Sequence, residues 1–567
     1  MIYDRRVPYR TARVDAPKLI AEAGIVDDMV RQFADKYAFL RELVQNGIDA
    51  GATRIEVRIE RSPDGAVRSS VEDDGCGMTR AIIEGPLLTL FESSKESDEA
   101  KIGKYGIGFV SVFVLEPERV DVRTRGSDGA WVVRLFGDHS FELATDAVRP
   151  GTGTDVILLH TMSAEAFAEH ARLASLALTR WCKHAHVPIA LTIVDGYDTG
   201  DARAVNVAMK VAGASSVTLV EGDERFVVGI GRADPQVEHG LEGGDTFAGF
   251  YNRGLTLLES NDAEPGLEWV RFKIDSPKLA HTLSRDNVRR DRELRRLLAR
   301  VKEIADGPLW EALYRDIATA AEEASTGGCD LYAARLEAAL VPRFRKRAET
   351  VRVPLVDPVE GVRTMDLHKL QRAKSSFAPR TVLVAEASSP MTVALAASGR
   401  PVVRHHVLVP LLRRIVDEAS VVAAEQACAF AFAVPQRDED GQLTLELARF
   451  LEAAGRDLQC VRLASFVGVA HEVMCRVVRD ASSRSSLSAL CAPEDGTARH
   501  WGRSSTLFLN ADHTIVRLAR RRARSDVTLA AQLLCRALLV IEGPLAASVV
   551  DRLLAAATTT TNGVDDG

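Results

Sequence analysis

The sequence predicts an α+β fold that is divided among several domains. Two observations support this prediction. The chain has 567 residues, which is too many for one hydrophobic core, and its apolar residues alternate between helical and strand spacing along the chain. Hydrophobic residues make up 46% of the chain and charged residues 27%, a balance typical of globular proteins. We therefore expect about three or four domains.

The first predicted elements form an α/β layer. A helix is expected over residues 38–50, where apolar residues recur at helical spacing before a glycine ends the helix. Apolar and charged residues then alternate over 53–60, which predicts a strand. Further strands are expected over 66–72, 120–125, 130–135 and 155–160. A helix over 164–184 follows, and we place the end of the first domain at residue 163.

The rest of the chain also mixes helices and strands. Residues 190–290 are interpreted as strands and 292–324 as helical, with buried strands at 381–385 and 402–409. Near the end, helices are predicted over 529–540 and 546–557, and the small, polar tail 558–567 is expected to be disordered.

Composition argues against several classes of protein. No apolar run approaches the ~20 residues that span a bilayer, and the start of the chain lacks a signal-peptide core, so we expect a cytoplasmic protein with no membrane partner. Eight cysteines without a C-x-x-C pair indicate reduced thiols rather than disulfides or zinc ligands. The net charge of -7 does not favour a nucleic-acid partner, and the basic run 517–524 is interpreted as a solvated helix face.

The first helix carries polar side chains on one stripe. Glu42, Asn46 and Asp49 stand at positions i, i+4 and i+7, which places them on one face. A carboxylate there can polarise an attacking water, and an amide oxygen one turn further on can ligate Mg²⁺. The alternative is a solvent-facing polar stripe without chemistry.

A D-x-G-x-G motif ends the second strand. It consists of Asp73, Gly75 and Gly77, followed by Met78. An aspartate at that point can accept a hydrogen bond from the amino group of an adenine, and the glycines let the backbone approach the base. A plain Asp-Gly turn is the alternative.

A glycine-rich segment precedes an apolar helix. Gly103, Gly106 and Gly108 open this helix, and such a helix start presents backbone N–H groups and partial positive charge to a phosphate. A Rossmann loop is the rival interpretation. It fits poorly, because the spacing is G-x-x-G-x-G and no βαβ unit frames the segment.

The order and spacing of these three motifs resemble the nucleotide-binding boxes of the GHKL ATPases (gyrase, heat-shock chaperone, histidine kinase, MutL). The resemblance implies a Bergerat-type α/β sandwich that binds ATP and Mg²⁺ beneath a lid at residues 91–100. It implies Glu42 as general base and Asn46 as Mg²⁺ ligand. The other nucleotide-binding residues that it implies are Asp49, Asp73, Gly75, Gly77, Met78, Lys95, Gly103, Gly106, Ile107, Gly108, Phe109 and Thr154.

Within that class the chain is most similar to the heat shock protein 90 chaperones. The similarity lies in residues 102–113 and continues over 251–276 and, more faintly, 507–516. In the loop 283–286 it implies Arg285 as a catalytic arginine that reaches the γ-phosphate and stabilises the transition state. A surface arginine in a basic loop is the alternative.

The resemblance also implies a domain plan and a function. It predicts an ATP-binding domain over 1–163, an α/β middle domain with the catalytic-arginine loop over 164–430, a small α/β C-terminal dimerisation domain over 431–557 and the tail 558–567. We expect a homodimeric chaperone clamp that hydrolyses ATP and acts on protein clients.

Three alternatives carry less support. A nucleic-acid clamp of the MutL or MORC type is disfavoured by the acidic net charge. A nucleotide-switched scaffold without turnover is disfavoured by the intact Glu42. A histidine kinase is disfavoured because no phospho-accepting helix precedes the motifs.

Overall fold

The structure is a computed structural model that divides into two compact units, Met1–Leu309 and Trp310–Gly567. The predicted lid at 91–100 and the loop with Arg285 lie outside the described residues. The residues described are 35–88, 107–137, 140–146, 149–197, 200–231, 246–280, 287–372, 381–416, 421–479, 487–490, 501–541 and 543–561.

Among the described residues of the first unit, the largest sheet has eight strands in the order β5-β4-β3-β6-β2-β1-β7-β8. Neighbouring strands are antiparallel except β1 and β7, which are parallel. The strands are β1 (Ile55–Arg61), β2 (Ala66–Asp73), β3 (Arg119–Gly126), β4 (Gly129–Phe136), β5 (Phe141–Thr145), β6 (Gly153–Thr161), β7 (Ile189–Asp195) and β8 (Arg203–Ala204).

Helices cover one face of this sheet. On β1, Ile55, Val57 and Ile59 are buried whereas Glu56 and Arg58 are exposed, the alternation expected of a sheet with one solvated face. The buried side chains share a single core with those of α1 and α4. The helical segments are α1 (Ala38–Asp49), α2 (Arg80–Ile82), a π-helical segment (Ile83–Leu87), α3 (Ile107–Val110), a 3-10 turn (Ser111–Leu115) and α4 (Ala164–Cys182).

The first sheet continues past residue 163, where the sequence predicted the end of the first domain. β7 pairs with β1 along its whole length, from Ile55 opposite Ile189 to Arg61 opposite Asp195. Helix α4, which also follows the predicted boundary, packs into the same core. The predicted boundary is therefore too early, because a strand from beyond α4 is needed to complete the sheet.

A second sheet follows in the same unit, with the strand order β12-β11-β13-β10-β9. The predicted helix over 292–324 is confirmed but interrupted by a π-helical segment, Ala305–Leu309, that contains Pro308. Proline removes a backbone donor, which explains the interruption. The elements are β9 (Ser215–Glu221), β10 (Glu224–Ile230), β11 (Phe247–Asn252), β12 (Leu255–Ser260), β13 (Arg271–Asp275) and α5 (Arg292–Ile304).

The second unit contains, in its described residues, two five-stranded sheets with the orders β15-β14-β17-β16-β18 and β21-β23-β20-β19-β22. The strands are β14 (Arg352–Val359), β15 (Val362–Asp366), β16 (Val382–Ala385), β17 (Val402–Arg404), β18 (Val421–Ala423), β19 (Ala429–Ala433), β20 (Cys460–Gly468), β21 (Cys475–Arg479), β22 (Leu487–Leu490) and β23 (Ser505–Asn510). The helices are α6 (Trp310–Ala324), α7 (Asp330–Ala338), α8 (Arg345–Ala348), α9 (Leu367–Arg372), α10 (Pro390–Ala397), α11 (Val409–Ile415), α12 (Ala424–Ala427), α13 (Asp438–Ala453), α14 (Thr514–Arg522), α15 (Val527–Val540) and α16 (Ala547–Thr561).

Two predictions for this unit are corrected. The strand predicted over 402–409 ends at Arg404, because His405 adopts φ 77° and the chain then turns into helix. The tail predicted to be disordered from 558 is helical as far as Thr561, since α16 continues through its threonines.

Within the described ranges, no helix is both long enough and apolar enough to cross a membrane. Cysteines with free thiols in these ranges are Cys76, Cys182, Cys329, Cys428, Cys460 and Cys535.

Candidate functional site

The motif-bearing segments meet around the C-terminal half of α1. This half packs on the end of β2, where a Cβ added to Gly47 would lie 3.1 Å from the Cβ of Asp73. Helix α1 also contacts α3 and the 3-10 turn that follows it. The polar helix, the D-x-G-x-G motif and the start of the third motif's helix are therefore neighbours in space, although they are far apart in the chain.

The three polar residues of α1 differ in their surroundings. Glu42 is buried, with 7% of its surface exposed, whereas Asn46 and Asp49 are exposed. The Asp49 carboxylate accepts a hydrogen bond of 2.6 Å from Arg253 Nη1 in the hairpin between β11 and β12. The helix thus presents a sheltered carboxylate and, one turn on, an accessible amide.

Asp73 ends β2 with its carboxylate partly buried. The Gly75 N–H donates to Asp73 Oδ1 at 2.8 Å. Burial raises the pKa of Asp73, while hydrogen bonds from the Gly75 and Thr154 N–H groups and the charge of Arg149 act in the opposite direction. The carboxylate is therefore an oriented acceptor in a partly desolvated position.

The neighbouring Asp74 has a structural role. Its carboxylate accepts hydrogen bonds from the Thr53 N–H at 2.6 Å, the Thr53 hydroxyl at 2.5 Å and the Arg54 N–H at 3.0 Å. The Thr53 hydroxyl and these N–H groups hold the pKa of Asp74 below its usual value. Asp74 thus fastens the D-x-G-x-G motif to the turn between α1 and β1.

The glycines of the motif are required by the protein's own packing. A Cβ on Gly75 would lie 2.8 Å from the Cβ of Ala50, and one on Gly77 would overlap the carbonyl oxygen of Arg125. Gly77 also has φ 67°, a conformation that favours glycine. In the predicted site these glycines allow the close approach of a base, and in the structure they are also required by contacts that do not depend on a ligand.

A row of three residues supports the motif across the sheet. In the strand registers, Asp73 of β2 lies opposite Thr154 of β6, and Thr154 lies opposite Thr124 of β3. The buried Thr124 hydroxyl accepts a hydrogen bond of 2.8 Å from the Met78 N–H and lies 3.1 Å from the Thr154 hydroxyl. Sequence reasoning identified Thr154 but missed Thr124, which the sequence signals as a hydroxyl among the inward-facing residues of β3.

The third motif is described only from Ile107 onward. Gly108 and Phe109 lie in α3, and the Gly108 carbonyl accepts a hydrogen bond of 2.5 Å from the Ser111 hydroxyl. Phe109 is buried in the core of the first sheet, so only its backbone can face a ligand. The other predicted residues of this region, Lys95, Gly103 and Gly106, lie outside the described residues.

The chemistry of the site suits a magnesium nucleotide. The described residues contain no group of three or more His, Cys, Asp or Glu side chains placed to hold a metal ion. Mg²⁺ usually keeps several waters and takes only one or two protein ligands beside substrate phosphates. An exposed Asn46 amide next to a nucleotide fits that pattern.

Two open surface pockets have linings that include neither Glu42 nor Asp73. One, of about 410 Å³, is lined by residues of β14 and α10, and the other, of about 520 Å³, by residues 54–56, 185–190 and 202–206. We assign the candidate site to the region around Glu42 and Asp73, because the chemistry-bearing side chains lie there. One predicted wall of that region, 91–100, lies outside the described residues.

Comparison with known proteins defines the class of this site. Residues 37–141 match the family described as "Histidine kinase-, DNA gyrase B-, and HSP90-like ATPase". This stretch contains α1, the D-x-G-x-G motif and α3, so the first unit carries an ATPase domain of that family. The match confirms the predicted resemblance to the GHKL class.

Longer matches are to a particular branch of the class. The chain is 32% identical over 201 residues to the chaperone protein HtpG of Methylobacterium nodulans, covering 30% of this chain and 32% of that protein. It is 32% identical over 216 residues to HtpG of Gluconobacter oxydans (33% and 34%), and 31% identical over 191 residues to HtpG of Shewanella sediminis (28% and 29%). The chain thus spans about a third of the length of the curated relatives it matches. These matches confirm the resemblance to the heat shock protein 90 chaperones.

Proposed function

We propose that this protein is an ATP-dependent chaperone of the heat shock protein 90 type, a homodimeric clamp that hydrolyses ATP and acts on protein clients. The observation that carries the proposal is the placement of a buried carboxylate, an exposed amide and an oriented aspartate around one helix. The matches to HtpG chaperones support the choice of branch.

The role proposed for each residue follows from the surroundings of its side chain. Glu42 is the general base, because a sheltered carboxylate beside the phosphates can accept a proton from the attacking water. Asn46 would hold Mg²⁺, which neutralises phosphate charge when it is bound. Asp73 accepts the adenine amino group, and Thr154 supports that end of the site. The phosphate-binding residues remain Lys95, Gly103, Gly106, Ile107, Gly108 and Phe109.

Arg285 is proposed as the second catalytic residue. A guanidinium that reaches the γ-phosphate would stabilise charge that develops in the transition state. Its loop follows residues 277–280, which the Asn252 side-chain amide holds through hydrogen bonds to the carbonyls of Pro277 at 3.3 Å and Leu279 at 2.8 Å. These contacts fasten the chain shortly before the loop. A cytoplasmic location is part of the proposal, and the six free thiols support it, since reduced cysteines suit a reducing compartment.

Replacing the proposed base tests the function. Glu42→Ala should lower Mg²⁺-dependent ATP hydrolysis at least about 100-fold, because a positioned general base contributes about that much or more. ATP binding should be retained, since Asp73 and the backbone of the phosphate segment are unchanged. Steady-state phosphate release and calorimetric ATP binding would measure the two effects separately.

The matched control is Glu56→Ala, which removes an exposed glutamate from β1 of the same sheet. That variant should hydrolyse ATP as the wild type does. Hydrolysis by Glu42→Ala at the wild-type rate would show that Glu42 is not the base, and a wild-type protein that binds no ATP would overturn the proposed function itself.

A further inference from the structure

A buried arginine contacts the end of β2 at Asp73, the residue proposed to accept a hydrogen bond from the adenine amino group. Arg149 lies shortly before β6, and its side chain is 8% exposed. Its Nη2 donates a hydrogen bond of 2.9 Å to the main-chain carbonyl of Asp73, and its Nη1 lies 3.5 Å from Glu72 Oε1. The buried guanidinium of Arg149 thus holds the peptide group between Asp73 and Asp74.

The same arginine is itself held in place by the sheet. Arg125, near the end of β3, donates from Nε to the Arg149 carbonyl at 2.7 Å. The Arg125 carbonyl packs directly on Gly77 at the other end of the D-x-G-x-G motif. Arg149 therefore contacts the motif at Asp73 and Arg125 contacts it at Gly77. A hydrogen bond connects the two arginines.

We propose that Arg149 is a positioning residue for adenine recognition, acting through Asp73. The proposal rests on the proposed function, in which the Asp73 carboxylate accepts the adenine amino group. Rotation of the peptide between Asp73 and Asp74 would move both the carboxylate and the Gly75 N–H that orients it. A displacement of about 1 Å is enough to weaken a positioned hydrogen bond severely.

The charge of Arg149 gives this role a second, separable component. Burial raises the pKa of Asp73, the neighbouring Asp74 charge raises it further, and Arg149 lowers it. Removing the guanidinium charge would therefore raise the pKa of Asp73 and leave less of the ionised acceptor as the pH falls. Arg149 also lowers the pKa of the buried Asp155, which burial raises to about 6. The pH dependence is therefore assigned to Asp73 only if Asp155→Asn retains it.

The test is calorimetric binding of ADP to the full chain at pH 8 and pH 6. Arg149→Gln should bind ADP roughly tenfold more weakly than the wild type at pH 8. Its loss of affinity should be larger at pH 6, because glutamine lacks both the planar set of N–H donors and the positive charge of arginine. Arg149→Lys should also bind more weakly at pH 8 but keep the wild-type ratio between the two pH values, because it retains the charge. The control Arg134→Gln, a largely buried arginine paired with Glu142 on β5, should bind as the wild type does.

The outcomes separate this inference from the proposed function. Wild-type affinity of Arg149→Gln at both pH values would overturn the inference. If that variant does not fold by circular dichroism, Arg149→Lys decides, and wild-type affinity at pH 8 would again overturn it. If Asp73→Asn also binds ADP normally, the assignment of Asp73 fails and the inference falls with it, whereas weak binding by Asp73→Asn beside normal binding by Arg149→Gln would reject the role of Arg149 alone.

Discussion

A buried histidine ties the start of α1 to α4. His170 of α4 lies 3.1 Å from the Tyr37 hydroxyl through Nδ1 and 2.9 Å from the Ser69 hydroxyl through Nε2. The ring of His160 lies 6.2 Å away, centroid to centroid. Burial lowers the pKa of His170 to about 4, and the neighbouring His160 acts in the same direction. The helix that carries Glu42 is therefore anchored by an uncharged imidazole.

The lowered pKa of His170 predicts that the first unit becomes less stable in acid. In the unfolded chain a histidine binds its proton near pH 6.5, whereas His170 in the fold does so only near pH 4. The unfolded state thus takes up the proton first, and stability is lost as pH falls through that interval, by up to about 3 kcal/mol. Hydrogen exchange of peptides from β2 and α4 at pH 7, 6 and 5 would measure the loss.

The variant His170→Gln should show a shallower pH dependence than the wild type over the same range. His471→Gln, which replaces an exposed histidine in the second unit, should leave the wild-type dependence unchanged. Equal pH dependence of wild type and His170→Gln would contradict the prediction.

Sequence could predict those site residues whose type and spacing carry the chemistry. Glu42, Asn46 and Asp73 belong to motifs, and the structure brings their segments together. Thr124 was missed because one threonine in a strand is ordinary. Arg149 gave no signal at all, because its main partner is a main-chain carbonyl, which every residue has.

At the scale of elements, the hairpin turn between β11 and β12 connects the second sheet to α1. Arg253 and Gly254 both have positive φ, 50° and 78°, as a tight two-residue hairpin requires. The Gly254 N–H donates to Asp275 Oδ1 at 2.9 Å, and a Cβ on Gly254 would overlap the His184 carbonyl. The turn therefore projects Arg253 toward Asp49 from a rigid base.

We expect Asp49 to act mainly through this ion pair. Both side chains are nearly half exposed, so Asp49→Asn and Arg253→Gln should each lower the free energy of unfolding by less than about 1 kcal/mol. The double variant should be no less stable than either single variant, because both remove the same interaction. Urea unfolding of the four proteins would measure the coupling.

ATP affinity distinguishes this role from the nucleotide contact predicted for Asp49. Under the ion-pair interpretation, both single variants change ATP affinity equally and by less than about threefold, the equivalent of roughly 0.7 kcal/mol. A tenfold loss in Asp49→Asn alone, with Arg253→Gln unchanged, would place Asp49 at the nucleotide instead.

Local elements were predictable, but distant pairings were not. The helix predicted over 38–50 matches α1, because its apolar stripe is a local pattern. The predicted boundary at 163 failed because the β1–β7 pairing joins residues far apart, such as Arg61 and Asp195, which are 134 positions apart. Hydrophobic periodicity is a pattern within a short stretch of sequence, so it cannot indicate a pairing between such distant residues.

At the scale of the whole molecule, the last helices leave apolar side chains uncovered. Leu533 and Val540 of α15 are 52% and 60% exposed, and Leu518 of α14 and Leu554 of α16 are 57% and 53% exposed. Leu533 and Val540 are seven residues apart and so lie on one face of α15, and exposed apolar residues on one helix face are a feature of association surfaces. They support the proposed homodimer.

Leu533→Glu should weaken self-association, because dimerisation would bury a charge on that surface. We expect at least a tenfold increase in the dimer dissociation constant by analytical ultracentrifugation. Crosslinking of the wild type should also increase with a non-hydrolysable ATP analogue, as a closing clamp requires. Leu176→Glu, at a leucine of α4 with 54% exposure, is the control and should leave association unchanged. A wild-type monomer that is indifferent to nucleotide would exclude the clamp.

The parallel pairing of β1 with β7 also fixes an order of events during synthesis. β1 leaves the ribosome more than a hundred residues before its neighbour β7, which emerges after β6 and α4. At about 5–20 residues per second, the nascent chain spends many seconds with one edge of β1 unpaired. Until β7 emerges, the backbone N–H and C=O groups on that edge of β1 have no partner strand, and such an edge can pair with another chain.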